Sequence, residues 1–303
     1  MPLPDLFGVI MRVVKERANA KINLFLDVVS RRDDGFHDIK TVMHSVSLYD
    51  DITVSYIPAK STAVRMTVCG AKYLPTDEKN LAVKAALLYL KRAGITASVE
   101  IKLEKRIPVA AGLAGGSSDA ADVLRAMNRL TGKLFSERIL YKLAEELGSD
   151  IPYCLYGKTA LCEGRGEIIT KLPDILDLNV VIAISSERVS TPNAYSKLDE
   201  LYSNFDGSRS TGGEEAFLKF NSQISDGVFS GDCLFNVFED AVLSECVGAA
   251  SIKKRLVELG AFGVLMSGSG PSVFGIFKTP EAALFAAKSL KNKNVTAYAV
   301  KSV

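Results

Sequence analysis

Apolar and polar positions alternate over residues 98–103, where Val99, Ile101 and Leu103 share one side, the two-residue period of a half-buried strand. Further on the period changes. Ala120, Val123, Leu124 and Met127 fall at i, i+3, i+4 and i+7, one face of a helix that Gly132 ends. Between strand and helix runs Pro108-Val109-Ala110-Ala111-Gly112-Leu113-Ala114-Gly115-Gly116-Ser117-Ser118-Asp119, almost all small residues. Elsewhere in the first half, Ile22, Leu24 and Leu26 predict a strand, and residues 42–49 and 51–56 predict two more. Asn80 is placed to cap a helix carrying Leu81, Ala85 and Leu88 that Gly94 closes. Ser136 opens another, with Leu140, Leu143, Ala144 and Leu147 as its apolar face and Gly148 behind it. Residues 158–163 predict a strand, with Gly164-Arg165-Gly166 as a tight turn.

The second half reads as strand 180–185, helical stretches 235–243 and 252–259, strand 262–266 and strand 273–277. Thr279 then caps a helix 280–290, with Pro280 in its favoured first position, and strand 295–300 follows. The order β-α-β-β-α-β with an extra helix predicts a ferredoxin-like domain. The expected fold class is therefore α+β in two domains, 1–172 and 173–303. Residues 1–10 are expected to be an extension, with Met11 as an alternative start, and Asp206-Gly207-Ser208-Arg209-Ser210-Thr211-Gly212-Gly213 a surface spacer.

Composition narrows the partners. A chain of 303 residues, 48% hydrophobic and 24% charged, is ordinary for a globular protein and long enough for two cores. Lys and Arg at 37 against Asp and Glu at 35 argue against a broad nucleic-acid surface, though a small anion needs only a local cluster. Five cysteines, odd in number and with no C-x-x-C pair, suggest neither a disulfide framework nor a zinc site and fit a reducing cytoplasm. No apolar run reaches the roughly 18 residues of a membrane helix, and residues 1–10 lack the basic start of a signal peptide. The expected partner is a small molecule, with neither nucleic acid nor membrane, acting on a monomer or weak homodimer.

The loop at 108–118 is the candidate for chemistry. Small side chains let a ligand approach the backbone, and the first N–H groups of a helix can hold an anion, aided by roughly half a positive charge from the aligned peptides. Ser117 and Ser118 supply hydroxyls for phosphate oxygens or for a metal ion that bridges them. The alternative is a plain glycine-rich turn with a serine cap. There is no G-x-x-x-x-G-K-[ST] and no Rossmann glycine spacing, and the His-Arg-Asp and Asp-Phe-Gly set of protein kinases is missing. Any nucleotide chemistry therefore uses another scaffold. Other residues stay two-sided from spacing alone. Lys21 is a strand-end cation or a functional one. Phe36 and His37, past the Asp33-Asp34-Gly35 turn, are surface rings or a stacking platform. Asp150 in Gly148-Ser149-Asp150-Ile151-Pro152 is a helix cap or a proton acceptor. Ser267-Gly268-Ser269-Gly270-Pro271-Ser272 is a hairpin turn or a second wall for phosphates.

Three stretches in this order resemble the GHMP kinases, the family of galactokinase, homoserine kinase, mevalonate kinase and phosphomevalonate kinase. The 108–118 and 267–271 loops look like its second and third motifs. Ala18-Asn19-Ala20-Lys21-Ile22-Asn23-Leu24, Arg31-Arg32-Asp33-Asp34-Gly35-Phe36-His37 and Leu48-Tyr49-Asp50 resemble, within it, the branch whose substrate carries a cytidine diphosphate. Leu147-Gly148-Ser149-Asp150-Ile151-Pro152 and Glu163-Gly164-Arg165-Gly166-Glu167 are similar to the same branch. The resemblance implies an N-terminal ribosomal S5 domain 2-like unit joined to the ferredoxin-like one, an ATP co-substrate and Mg²⁺. It implies Lys21 and Asp150 as the catalytic pair. It puts Pro108, Val109, Ala110, Ala111, Gly112, Leu113, Ala114, Gly115, Gly116, Ser117 and Ser118 on the ATP phosphates, and Lys105, Asn80 and Leu81 near the adenine. Asn23, Phe36 and His37 match substrate contacts, with Tyr195 as the opposing ring; the metal ligands stay unassigned. Two departures are visible: Phe36 stands where tyrosine is common, and Ala110 and Ala111 stand where many relatives carry glycine. A kinase for another alcohol, of homoserine or mevalonate type, and a non-catalytic sensor on the same scaffold are the alternatives.

Overall fold

A computed structural model describes residues 11–205, 210–227 and 229–303. The expected extension 1–10 and residues 206–209 of the expected spacer lie outside them. In chain order the first elements are β1 (Arg12–Arg31), β2 (His37–Pro58), β3 (Ala63–Cys69), α1 (Leu81–Ala93), β4 (Ala97–Glu104), α2 (Gly115–Leu130), α3 (Glu137–Leu147) and α4 (Ile151–Tyr156). Then come β5 (Thr159–Gly164), β6 (Ile168–Lys171), β7 (Asn179–Ser185), α5 (Thr191–Leu201), α6 (Gly213–Ser225), β8 (Phe235–Asn236) and α7 (Phe238–Val242). The last are α8 (Val247–Glu258), β9 (Gly263–Met266), β10 (Ser272–Phe277), α9 (Pro280–Leu290) and β11 (Val295–Lys301). The chain packs as two compact units, one of residues 1–18, 49–106 and 116–155, the other of 19–48, 107–115 and 156–303. These packing units are not consecutive in sequence, so they are a different division from a single cut after residue 172.

In the first unit, β4 pairs antiparallel with the end of β2, from Asp51↔Glu104 to Pro58↔Ala97, and parallel with β3. Its alternate residues Ala97, Val99, Ile101 and Leu103 are buried, as the two-residue period requires. They form one core with Ala82, Ala85, Ala86 and Tyr89 of α1, with the Ala120–Met127 face of α2, and with Leu140, Leu143 and Ala144 of α3. The Tyr89 hydroxyl, deep in this core, is satisfied by Asn128 Oδ1 at 3.0 Å and Thr131 Oγ1 at 2.6 Å. α1 starts where the Asn80 side chain accepts from the Ala82 N–H and ends at Gly94, whose φ of 64° is the left-handed cap glycine tolerates.

In the second unit, four antiparallel strands lie in the order β11-β7-β10-β9, the ferredoxin-like order, with α8 joining β7 to β9 and α9 joining β10 to β11. β7 and β10 are central and covered on both faces, which is why they read as continuous apolar runs. Val181, Ala183, Val273 and Phe277 face Ile252, Leu256, Ala283 and Ala287 of the two helices. Val180, Ile182, Phe274 and Ile276 face the other way, onto Ile22, Leu24, Val42 and Val46 of β1 and β2.

Several elements differ from expectation. Residues 42–49 and 51–56 are one 22-residue strand, because Asp50 between them is fully buried and held by side-chain bonds rather than turned to solvent. The stretch 235–243 is not all helix: Phe235 and Asn236 pair in parallel with Phe25 and Leu26, and helix starts at Phe238. β6, α5 and α6 carried no clear period.

β1 ends against α6 through a buried carboxylate. Asp27 accepts from the Val28 N–H at 3.0 Å and the Thr211 hydroxyl at 3.1 Å, and its carboxylate fills the space a side chain at Gly213 would need. Burial pushes its pKa up to about 6, with the Thr211 and Val28 bonds and the Lys40 charge opposing. The folded state therefore binds the proton more tightly than the unfolded chain, and stability falls as pH rises from about 4 to about 6. Asp27→Asn is expected to match the parent at pH 4.5 and to exceed it by roughly 1–2 kcal/mol at pH 8. Urea unfolding across that range checks this; an offset independent of pH would count against it.

Candidate active site

In the second unit Lys21 is 4% exposed. Its ammonium donates to Asn23 Oδ1 at 2.8 Å and to the Gly112 carbonyl at 3.1 Å, while its own N–H bonds to the Leu113 carbonyl at 3.2 Å. Asn23 is fixed in turn: its amide donates to Thr41 Oγ1 at 2.8 Å, and the Thr41 hydroxyl donates to the Phe25 carbonyl at 2.6 Å. The Gly-Ser loop after β9 closes this group. Ser267 Oγ donates to the Gly112 carbonyl at 3.2 Å and accepts the Asn23 N–H at 3.3 Å, and Ser272 Oγ donates to the Ala111 carbonyl at 2.5 Å. The 267–272 loop is a hairpin turn, since β9 and β10 pair across it, and its serines hold it to the Ala111 and Gly112 carbonyls. Asn236 braces it from behind, donating to the Met266 and Gly268 carbonyls at 2.7 and 2.9 Å.

The loop needs its small residues. Gly112 has a φ of 74°, and a Cβ there would collide with the Ser267 carbonyl. Ala110 and Ala114 also hold positive φ, 55° and 54°. The loop leads into α2 at Gly115, and the first turn of that helix has no acidic side chain to cancel its positive end. Ser117 is half-buried and Ser118 buried. In the first unit the Leu81 side chain lies 3.9 Å from where a Cβ on Gly116 would stand. Asn80 is engaged at both ends of its amide, capping Ala82 at 2.9 Å and donating to the Pro75 carbonyl at 2.9 Å.

Lys105 is buried. Its ammonium contacts Asp50 Oδ2 at 2.5 Å and Asp119 Oδ2 at 2.7 Å. Burial pushes the Asp119 carboxyl up to about 7; Lys105 opposes the rise and Asp50 adds to it. Asp150 lies in the first unit, half-buried, and its carbonyl accepts the Cys154 N–H of α4 at 3.1 Å.

A ring cluster stands apart in the second unit. The His37 imidazole stacks on Tyr195 with centroids 4.6 Å apart, and Phe205 meets its edge at 5.9 Å. His37 Nε2 bonds to Asp199 Oδ1 at 2.7 Å, so an ionised Asp199 fixes the proton on Nε2. Phe36, 55% exposed, is the open ring, with the Arg165 guanidinium 5.3 Å from its centre. Sequence reading missed Asp199, Arg165 and Ser267 as partners. Asp199 was findable, being four residues beyond Tyr195 on one face of a helix; the other two meet their partners only through the fold.

Comparisons with known proteins agree on the scaffold. The GHMP kinases N terminal domain profile matches residues 80–158 and the GHMP kinases C terminal profile residues 227–296. Fold and loops define a GHMP small-molecule kinase. A 4-diphosphocytidyl-2-C-methyl-D-erythritol kinase from Lachnospira eligens is 40% identical over 287 residues, 93% of this chain and 95% of that one. A crystal structure of a 4-(cytidine 5'-diphospho)-2C-methyl-D-erythritol kinase superposes with a TM-score of 0.76 at 33% identity, covering 95% of this chain and 99% of that one. The chain belongs to the 4-diphosphocytidyl-2-C-methyl-D-erythritol kinase family. A homoserine kinase from Cytophaga hutchinsonii shares the fold, with a TM-score of 0.72 at 24% identity over 100% of this chain and 97% of its own. No helix among the described residues is long and apolar enough to cross a membrane.

Gly112→Ala combines a positive φ with a backbone collision. It is expected to cost about 1–3 kcal/mol of stability and to weaken nucleotide binding more than Gly94→Ala, which carries a positive φ but meets nothing within 4 Å. Paired thermal melts and ATP titrations check the ordering.

Proposed function

We propose that the chain transfers the γ-phosphoryl group of ATP to the 2-hydroxyl of 4-diphosphocytidyl-2-C-methyl-D-erythritol, giving the 2-phosphate and ADP. The reaction belongs to the non-mevalonate route to isoprenoid precursors. What carries the reading is identity of about 40% along nearly the whole chain to kinases of that name. The site residues and their roles, and the domain limits 1–172 and 173–303, are part of the proposal, as are a cytoplasmic location and a monomer or weak homodimer.

In this reading residues 108–118 wrap the ATP phosphates with backbone N–H groups, and the uncompensated start of α2 adds positive potential. Phosphoryl transfer asks mainly for position and charge. Asp150 accepts the proton of the attacking hydroxyl. Lys21, its direction set by Asn23 and the Gly112 carbonyl, orients that hydroxyl and offsets charge on the transferred group. Among the described residues no three His, Cys, Asp or Glu side chains stand together as a metal cage. The Ser117 and Ser118 hydroxyls are oxygen donors that would suit a hard cation beside the phosphates. Magnesium, when bound, supplies charge neutralisation across the phosphates. Lys105, Asn80 and Leu81 flank the adenine. Asn23 touches the substrate, and Phe36, His37 and Tyr195 form the cytidine platform, with Phe36 as the exposed ring.

Purified protein with Mg²⁺ and ATP is expected to turn over 4-diphosphocytidyl-2-C-methylerythritol and neither mevalonate nor homoserine. Asp150→Asn should keep ATP binding and lose roughly 10²–10⁴-fold in kcat. Turnover of another alcohol alone would overturn the substrate, and an active Asp150→Asn would overturn the base. Phe36→Ala should raise KM for the cytidine substrate by roughly tenfold, the order of one lost base–ring stack, while KM for ATP stays put. Equal changes in both would argue against a cytidine platform.

A further inference from the structure

One group in the first unit does work that its assignment near the adenine does not describe. Lys105, Asp50 and Asp119 are all nearly or fully buried. Asp50 grips two neighbours at once, accepting the Lys105 ammonium on Oδ2 and the Arg106 backbone N–H on Oδ1, each at 2.5 Å. The same ammonium reaches across 14 residues of sequence to Asp119 Oδ2 at 2.7 Å. Lys105 and Arg106 are the last residues before the phosphate-loop segment, and Asp119 lies four residues beyond its other end, past the first turn of α2. The Lys105 backbone is also fixed: its N–H bonds to the Cys69 carbonyl at 2.8 Å, and its own carbonyl fills the space beside Gly70.

We propose that Asp50, Lys105 and Asp119 form a buried clamp on the two ends of the 107–115 loop, so that the Lys105 side chain is a positioning residue for the phosphate-binding backbone rather than a ligand of the nucleotide base. This rests on reading that loop as the nucleotide loop. The loop holds Ala110 and Ala114 at positive φ, a conformation L residues keep only where their surroundings over-determine it. Fixing both ends removes most of the closure entropy that would otherwise favour other shapes. The charge count fits a fixed part better than an available ligand. Lys105 already directs donors at two carboxylates, and Asp119 Oδ1 is buried with no hydrogen-bond partner among the described residues. Freeing the ammonium for a base would strand a buried carboxylate.

The variant that isolates the clamp is Asp119→Ala, which leaves Asp50 and Lys105 as a balanced pair. Without nucleotide, hydrogen exchange at residues 107–114 is expected to quicken by about tenfold relative to the rest of the chain. Calorimetric affinities for Mg-ATP, Mg-GTP and inorganic tripolyphosphate should fall together, by about tenfold, the order of one lost hydrogen bond to a charged group. Asp119→Asn, whose amide oxygen can still accept from Lys105, should restore both measurements. Loss confined to ATP would make Lys105 a base ligand and overturn the clamp. So would unchanged exchange, or exchange that rises evenly over 49–106 and 116–155, which would mean that Asp119 merely stabilises its core. If the parent bound none of the three phosphates yet the loop exchange responded as stated, the kinase reading of the loop would fail and the clamp would stand.

Discussion

The carbonyl oxygen of Gly112 accepts from the Lys21 ammonium at 3.1 Å and from the Ser267 hydroxyl at 3.2 Å, and the conformation of the second unit's loop group follows from that shared acceptor. A carbonyl can serve two donors only if the backbone turns it toward both. Here that turn needs a φ of 74° at a residue whose outer face lies against another backbone. Glycine is the residue that meets both conditions. Once it is in place, Lys21 has one direction to point, Asn23 has its acceptor occupied, and the 267–272 loop is fixed by its own serines.

The first unit solves a similar problem by other means. It buries a lysine between two carboxylates, which places a surplus negative group where water cannot screen it. The upward push on Asp119 follows from that surplus, because desolvation and the nearby Asp50 both favour its neutral form. Such groups are weak evidence for stability, since an apolar trio of the same volume often does as well. Their value lies in direction. Each hydrogen bond fixes a line between two chain positions, and these lines run to the residues on either side of a loop that has little side-chain bulk to hold itself.

How much of this was legible depended on whether the signal was local. β4, α1, α2, α3 and α9 could be read because one buried face imposes a period, and because Asn80, Thr279 and Gly94 mark ends through bonds within a few residues. The ferredoxin-like order followed from the succession of those elements. The single long β2 could not be read: a charged residue in an apolar run normally signals a break, and Asp50 is tolerable inside a strand because distant groups, the Lys105 ammonium and the Arg106 N–H, bond to it. α5 and α6 have only two and three buried residues, too few to impose a face on the sequence. The site divided in the same way. The glycine loop announced itself, whereas Gly112 beside Lys21, Tyr195 beside His37 and the two carboxylates at Lys105 come from other elements, and no spacing in one sequence pairs them.

Substrate choice cannot reside in the scaffold, because a homoserine kinase shares the fold across the whole chain at 24% identity. A loop that binds phosphates through its backbone is indifferent to the alcohol it serves. The proposed function places discrimination in side chains that a small amino alcohol has no use for, and the ring cluster of the second unit has that character. His37 and Tyr195 stack on each other at 4.6 Å, and Asp199 holds the imidazole edge. What is left open is the face of Phe36, with the Arg165 charge nearby. A planar base carrying a diphosphate can use both the stacking surface and the cation, whereas an acceptor without a ring leaves the phenyl face wet and gains nothing from it. The proposed function thus assigns specificity to Phe36, an exposed aromatic ring on the turn between β1 and β2.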